Sequence, residues 1–390
     1  MKSIRFISFA LACASAHAQL ASGPMVGHTT SDSSSVWAFD PPSQSLEFTC
    51  WPVGAPDGER SRATVQRLEA GTPVFLHRFT GLEPATEYSY QAGPAKGRFT
   101  TAPEPGKPAR FRFAVTSCMD AKGTPIQPAW DAVLEQDPDF HLMIGDNVYA
   151  DSTRREVLLD RHLQQRAIPN FARLIATTPN WAVWDDHDFG PNDSHAATPG
   201  KEESLRAFRH VWANPSYGTP ETPGVFHSFG WANVDFFMLD DRYHRTDEKV
   251  PDSPEKTQFG EAQLDWQFKG LRESRATFKI VATGYDIMST RYNEETGRIA
   301  RRIRDGKISG VIFLSGDIHR NEFKRQDHGM GYLMTQITSS GIARNPIRPW
   351  TMIEIDTTLE DPTITARFYS EEKPSGTHVV PLSSLTPPAD

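Results

Sequence analysis

The stretch "WAVWDDHDFGPND", Trp181 to Asp193, runs from apolar, strand-like residues straight into Asp185, Asp186, His187, Asp188 and Asp193. Like charges this close repel one another. Either water dissolves the cluster in a loop, as the turn signals Gly190-Pro191 and Asn192-Asp193 allow, or bound cations reverse the repulsion and keep the carboxylates ionised. The two readings imply different folds around the stretch, one with a plain surface loop and one with a built site.

The same arrangement recurs along the chain. Strand candidates "RFRFAVTSC", "DFHLMIG", "VDFFMLDD", "FKIVATG" and "VIFLSGD" alternate with helix candidates "IQPAWDAVLEQD", Arg154 to Ala167, "ESLRAFRHVWA" and "EAQLDWQFKGLRES". Such alternation predicts a layered α/β domain, and the later runs "MGYLMTQITSSG", "TMIEIDT" and "ITARFYS" predict an antiparallel edge. Cys118, Asp146, the Asp185 cluster, Asp240 with Asp241, and Asp317 each stand at the carboxyl end of a predicted strand. Open α/β sheets form their ligand crevice there.

Upstream the pattern is different. Between about Ala21 and Thr101 the short runs "SVWAF", "SLEFTCWPV", "RATVQRL" and "EYSYQAG" are punctuated by Pro and Gly, as in an all-β sandwich. "FTGLEPATEYSYQAG" has the look of a fibronectin type III-like domain, with Tyr88 as its corner tyrosine. "APEPGKPA" reads as a proline-rich linker. Lys2, Arg5, the apolar "FISFALACA" and the small-residue site "AHA" ending at Ala18 read as a secretory signal peptide. The expected organisation is a signal at 1–18, a small β-sandwich at 19–102, a linker at 103–109, a catalytic domain at 110–380 and a tail at 381–390. A secreted or periplasmic location follows from the signal.

The formal net charge of −8 becomes more negative still once Lys2 and Arg5 depart, which argues against nucleic acid as a general partner. No further membrane segment is expected. Without Cys13 the mature chain keeps Cys50 and Cys118. One disulfide is the plain reading in an exported protein; if Cys118 instead offers a soft thiolate to a metal, Cys50 is expected to be unpaired and buried.

Three further motifs carry chemistry, each with a plain structural alternative. In "LMIGDNVYAD" Asp146 can bridge two cations and Tyr149 can ligate as a phenolate beside a strong Lewis acid, or the motif is a glycine turn with a half-buried tyrosine. In "FLSGDIHRNE" Gly316 frees the backbone so that Asp317 and His319 can turn to one site; His319 can equally be a satisfied core histidine. In "FFMLDDRYHR" Arg242 can grip a phosphate oxygen or pair with a neighbouring aspartate. The basic run "IARRIRD" is read as a solvated helix face.

"GDNVY", "WDDHD" and "SGDIH", in this order and with Cys118 ahead of them, resemble the alkaline phosphatase D (PhoD-like) family of metallophosphoesterases, and "LDDRYHR" and "TQFGEAQLDW" extend the likeness over nearly the whole mature chain. Asp188 stands where that family often has glutamate. The resemblance implies a four-layer αββα metallophosphoesterase sandwich behind the β-sandwich, and a phosphatase using ferric iron and one or more calcium ions, with another divalent metal as a variant. Carried over by motif, Cys118, Asp146, Tyr149 and Asp317 match iron ligands, Asn192 a calcium ligand, and His319 a ligand or phosphate contact. Asp186 is expected among the metal ligands, and His187 and Arg242 are expected to be catalytic. Attack by a metal hydroxide on small-molecule phosphate esters needs no protein nucleophile. The chain has no G-x-S-x-G elbow, Walker A loop or C-x-P-S-R run. The alternatives are a phosphodiesterase or phospholipase on the same site, and a secreted calcium-binding adhesion protein.

Overall fold

The computed structural model describes residues 19–54 and 60–387. The expected signal at 1–18 lies outside the described residues, as does the end of the tail. Seven antiparallel strands come first: β1 (Ser22–Thr29), β2 (Ser33–Phe39), β3 (Ser45–Pro52), β4 (Ser61–Gln66), β5 (Val74–Thr80), β6 (Glu87–Ala92) and β7 (Ala95–Thr100). They form two sheets, ordered β1-β2-β5 and β4-β3-β6-β7. Alternation dictates the packing: in β6, Tyr88, Tyr90 and Ala92 turn inward while the residues between them face out. Cys50 and Phe48 join them in one apolar cluster with Val36, Phe75 and Phe99. The Tyr88 hydroxyl accepts the Glu83 amide at 2.9 Å, tying the strand to the turn before it.

Strand β2, by contrast, is buried along its whole length. Val26, Val36 and Ala38 face the small unit's own core, while Met25, Trp37 and Phe39 belong to the core of the larger unit that begins at residue 110. The Trp37 indole donates to the His210 carbonyl at 2.8 Å, and the Asn180 amide to the Val26 carbonyl at 3.0 Å. Where the sequence suggested a spacer, the proline-rich run is fastened down. Ala102 donates to the Thr30 carbonyl, Gly106 to the Ala232 carbonyl and Ala109 to the Thr357 hydroxyl.

From residue 110 the order is β8 (Arg110–Thr116), α1 (Ala129–Glu135), β9 (Phe140–Ile144), α2 (Arg155–Arg166), α3 (Pro169–Thr177), β10 (Asn180–Val183), α4 (Asp186–Phe189) and α5 (Lys201–Val211). Then come β11 (His227–Trp231), β12 (Val234–Met238), α6 (Glu261–Glu273), β13 (Phe278–Ala282), α7 (Asn293–Asp305), β14 (Val311–Ser315), β15 (Glu322–Gln326) and β16 (Met334–Thr338). The chain closes with β17 (Pro349–Asp356), β18 (Thr363–Ser370) and β19 (Lys373–Pro381).

Two six-stranded sheets result, ordered β10-β9-β8-β17-β18-β19 and β11-β12-β13-β14-β16-β15. The apolar runs of β9, β10, β13 and β14 are buried at every position, as parallel strands covered on both faces must be. The sheets meet through aromatic rings, Trp181 stacked on Phe229 at 4.1 Å and Phe113 edge-on to Phe236 at 5.5 Å. On the far face of the second sheet, Val281, Val311 and Phe313 pack against Leu264 and Phe268 of α6 and Ile299 and Ile303 of α7. The expected antiparallel pairing is seen in β17, β18 and β19. The "MTQIT" segment, β16, is antiparallel to the edge strand β15 and parallel to β14 on its other side, and it is buried along its whole length. Among the described residues no helix is long and apolar enough to cross a membrane.

The seam between the small unit and the larger one is close-packed at Gly27. A side chain there would put its first carbon 2.3 Å from the Ala213 Cβ, where His28 donates to the Ala213 carbonyl at 2.8 Å. Gly27→Val is therefore expected to destabilise the protein by about 1–3 kcal/mol through overpacking. Urea unfolding followed by tryptophan fluorescence checks this, and an unchanged midpoint would show that the seam can yield.

Candidate metal centre

After β10, Trp184 is fully buried and its indole donates to Asp240 at 2.8 Å. The chain then turns into α4 instead of a solvated loop. Asp185 is its N-cap, in a reciprocal capping box with Asp188. The Asp188 carboxylate does more than cap. It accepts the Asp185 amide at 3.2 Å and, across the sheet, the Asn147 and Val148 amides at 3.0 and 3.1 Å. It thereby clamps the loop after β9 onto the loop after β10. Asp185, Asp186 and Asp188 are all buried, whereas Asn192 and Asp193 lie exposed on the following turn. The Asp193 amide reaches back to Asp186 at 2.7 Å.

Strand ends from both sheets meet here because two glycines let them. A side chain on Gly316 would stand 2.6 Å from the Ile144 carbonyl, and one on Gly145 2.7 Å from the Asp185 Cβ. Four residues at these ends take left-handed backbone angles: φ is 63° at Cys118, 49° at Asp146, 69° at Asp317 and 53° at His319. Each such non-glycine residue costs about 1–3 kcal/mol and persists only where its surroundings enforce it. Here they do: the His319 amide donates to Ser340 at 2.9 Å, and Asn345 donates to the His319 carbonyl at 2.7 Å.

Two sets of donor atoms gather within 4.8 Å of one another: Cys118, Asp146 and His319 in one, Asp146, Asp186 and His187 in the other. Asp146 belongs to both. The Tyr149 hydroxyl donates to Asp146 at 3.1 Å and lies 2.9 Å from His319 Nε2. The Cys118 sulfur stands 3.5 Å from Asp146 and 3.1 Å from the Ser340 hydroxyl. His187 lies against Tyr149 with ring centres 4.2 Å apart, and its Nδ1 is 2.5 Å from Asp151. Of the residues expected from sequence, Cys118, Asp146, Tyr149, Asp186, His187 and His319 are brought together. Asp317 offers its carbonyl to the Cys118 thiol at 4.0 Å, and Asn192 lies exposed on the turn after α4. Cys50 and Cys118 are unpaired and buried, so the disulfide reading is set aside.

Electrostatics show what the cluster lacks. Burial, then the charges of Asp186, Asp188 and Asp317, raises Asp146 well above the carboxylate range. Burial pushes Asp188 up to about 8 despite its amide donors, and burial followed by Asp146 raises the Cys118 thiol. Burial also acts upward on Asp186, yet Arg242 and His187 outweigh it and the net shift is downward. Of the two sequence readings for Arg242, the structure shows the ion pair. It is 1% exposed, with Nε 2.5 Å from Asp185 and Nη2 3.8 Å from Asp186. Even so, Asp185 Oδ2 and Asp241 Oδ1 are buried without a hydrogen bond from the described residues. Asp151, Ser340 and Asn345 escaped the sequence reading, because single polar residues in loops carry no spacing signal.

Removing the guanidinium should be costly. Arg242→Met leaves the buried Asp185 carboxylate without its cation, for an expected loss of about 3–5 kcal/mol. Urea unfolding of the metal-free protein measures it; a loss below about 1 kcal/mol would mean the aspartates are neutralised another way.

The comparisons with known proteins agree with this geometry. A family model described as PhoD-like phosphatase matches residues 113–344, more than half of the chain. Alkaline phosphatase D of Bacillus subtilis (strain 168) is 24% identical over 409 residues, covering 82% of this chain and 69% of that protein. The solved structure of PhoD superposes with a TM-score of 0.78 at 17% identity, covering 93% of this chain and 89% of the other. Purple acid phosphatase PPD1 from yellow lupin (Lupinus luteus) seeds superposes with a TM-score of 0.65 at 12% identity, over 92% of this chain and 74% of its own. The donor cluster at the strand ends and the family match over the residues that build it make this chain a member of the PhoD-like phosphatase family, an enzyme that hydrolyses phosphoric esters.

Proposed function

We propose that the protein hydrolyses small-molecule phosphate esters at a two-cation centre organised by Asp146. The observation that carries this reading is the sharing of Asp146 by two donor sets. The donors fit such ions. A thiol, a phenol and carboxylates on the Cys118 side supply the large negative charge that suits ferric iron, and hard oxygens around Asp186 suit calcium. Asn192 and Asp317 complete these shells in our reading. Two bound cations would supply Lewis acidity, lowering the pKa of a water and offsetting charge on the phosphoryl oxygens.

The chain's own groups do the rest. Asp146 accepts the Tyr149 hydroxyl and so orients the phenol toward the same oxygen. His187 is held by Asp151 at 2.5 Å, a contact that fixes the direction of its ring. We assign it the proton for the leaving oxygen. Arg242 balances the buried aspartates and fixes their direction.

The same reading takes the two packed sheets and their outer helices as a four-layer αββα sandwich. It takes the Tyr88 bond to the preceding turn as the mark of a fibronectin type III-like unit, with domain limits at 19–102 and 110–380, and export under the signal at 1–18. An adhesion module would have no use for Cys118 and Tyr149 on one carboxylate.

Asp146→Asn is expected to lower kcat/KM roughly a hundredfold or more, since it weakens both cation sites. Hydrolysis of p-nitrophenyl phosphate and of its bis-ester measures this, and their ratio tells monoesterase from diesterase. Unchanged turnover of both would refute the site. Elemental analysis that finds no iron, with no visible charge-transfer band, would remove the ferric assignment. Activity lost in chelator is expected to return with calcium.

A further inference from the structure

Arg242 and Arg245 are each 1% exposed, so neither presents a free cationic edge to a substrate. Arg344 differs: its side chain is 41% exposed, and its guanidinium carbon sits 4.3 Å over the Tyr149 ring. Its Nη1 donates to Asp120 at 2.5 Å, while Nε and Nη2 make no hydrogen bond with the described residues. The loop that carries it is fastened to both sides of the centre. Gly341 and Ala343 donate to the Ser117 and Cys118 carbonyls at 3.1 and 3.3 Å, and Asn345 donates to the His319 carbonyl at 2.7 Å. Asp120 is itself held, its other oxygen accepting the Gly123 amide at 2.9 Å.

We propose that Arg344 is a substrate-binding residue that contacts a non-bridging phosphoryl oxygen through its free edge, with Asp120 as its positioning residue. The proposal rests on the phosphoesterase reading above. A planar guanidinium with one edge tethered and the other open matches the geometry of a phosphoryl group. A bound monoester carries close to two negative charges near neutral pH and a diester one, so this cation favours monoesters and inorganic phosphate over diesters.

The test titrates inorganic phosphate into metal-loaded wild-type protein and the variants Arg344→Gln, Arg344→Lys and Asp120→Asn by calorimetry, with kcat and KM for p-nitrophenyl phosphate and its bis-ester alongside. Arg344→Gln is expected to weaken phosphate about tenfold or more and to raise KM for the monoester by a similar factor, with a smaller change for the diester. Arg344→Lys should recover part of the loss, and Asp120→Asn should move in the same direction as Arg344→Gln. Iron and calcium contents should match the wild type throughout. Phosphate binding within twofold of wild type overturns the proposal, and so does a loss that tracks a fall in metal content, which would make Arg344 a support for Tyr149. If the wild type cleaves neither ester, the phosphoesterase reading fails, and the phosphate titration still decides the arginine.

Discussion

Too much negative charge in too little water is the condition around which this molecule is arranged. Asp146, Asp185, Asp186 and Asp188 are each at most 4% exposed, and a buried carboxylate must be paired, protonated or bound to a cation. Asp188 accepts amides from two loops, and one oxygen of Asp185 is held by Arg242. Among the described residues the Asp146 carboxylate accepts hydrogen bonds only from a thiol, a phenol and one long amide contact. The clamp and the ion pair thus hold the walls of the centre, and the charge left over inside those walls is what a bound cation would offset.

Holding such a cluster costs backbone energy as well. The left-handed angles at Cys118, Asp146, Asp317 and His319 are unfavourable one by one, and the buried sheets behind them supply the compensation. Because those strands are covered on both faces, their ends cannot relax sideways. Strain and burial therefore work together: the core keeps these loops in conformations that none would adopt alone.

Much of this was readable from the residues because the signals are local. An apolar run long enough for a strand, followed at once by a carboxylate, puts Asp146, Asp185 and Asp317 at the carboxyl ends of strands without knowledge of the pairing. The role of Asp188 was not readable, since its partners Asn147 and Val148 lie some forty residues away. Nor was the choice between ion pair and phosphate grip for Arg242, which depends on how deeply Asp185 is buried. The parallel pairing of β16 with β14, beside its antiparallel pairing with β15, was not readable for a related reason: a short apolar run looks the same in either direction. The small unit's strands were legible from alternation, yet β2 defeats alternation by being buried on both faces.

That strand has a consequence for how the protein can be cut and rejoined. Met25, Trp37 and Phe39 of the small unit share one apolar core with Phe113, Trp181 and Phe229 of the large one. Residues 19–102 are therefore not a detachable module. Gene shuffling that exchanged them for another sandwich would transplant half of a shared interior, and the recipient would need to match the outer face of β1 and β2 as closely as a core mutation must match its cavity.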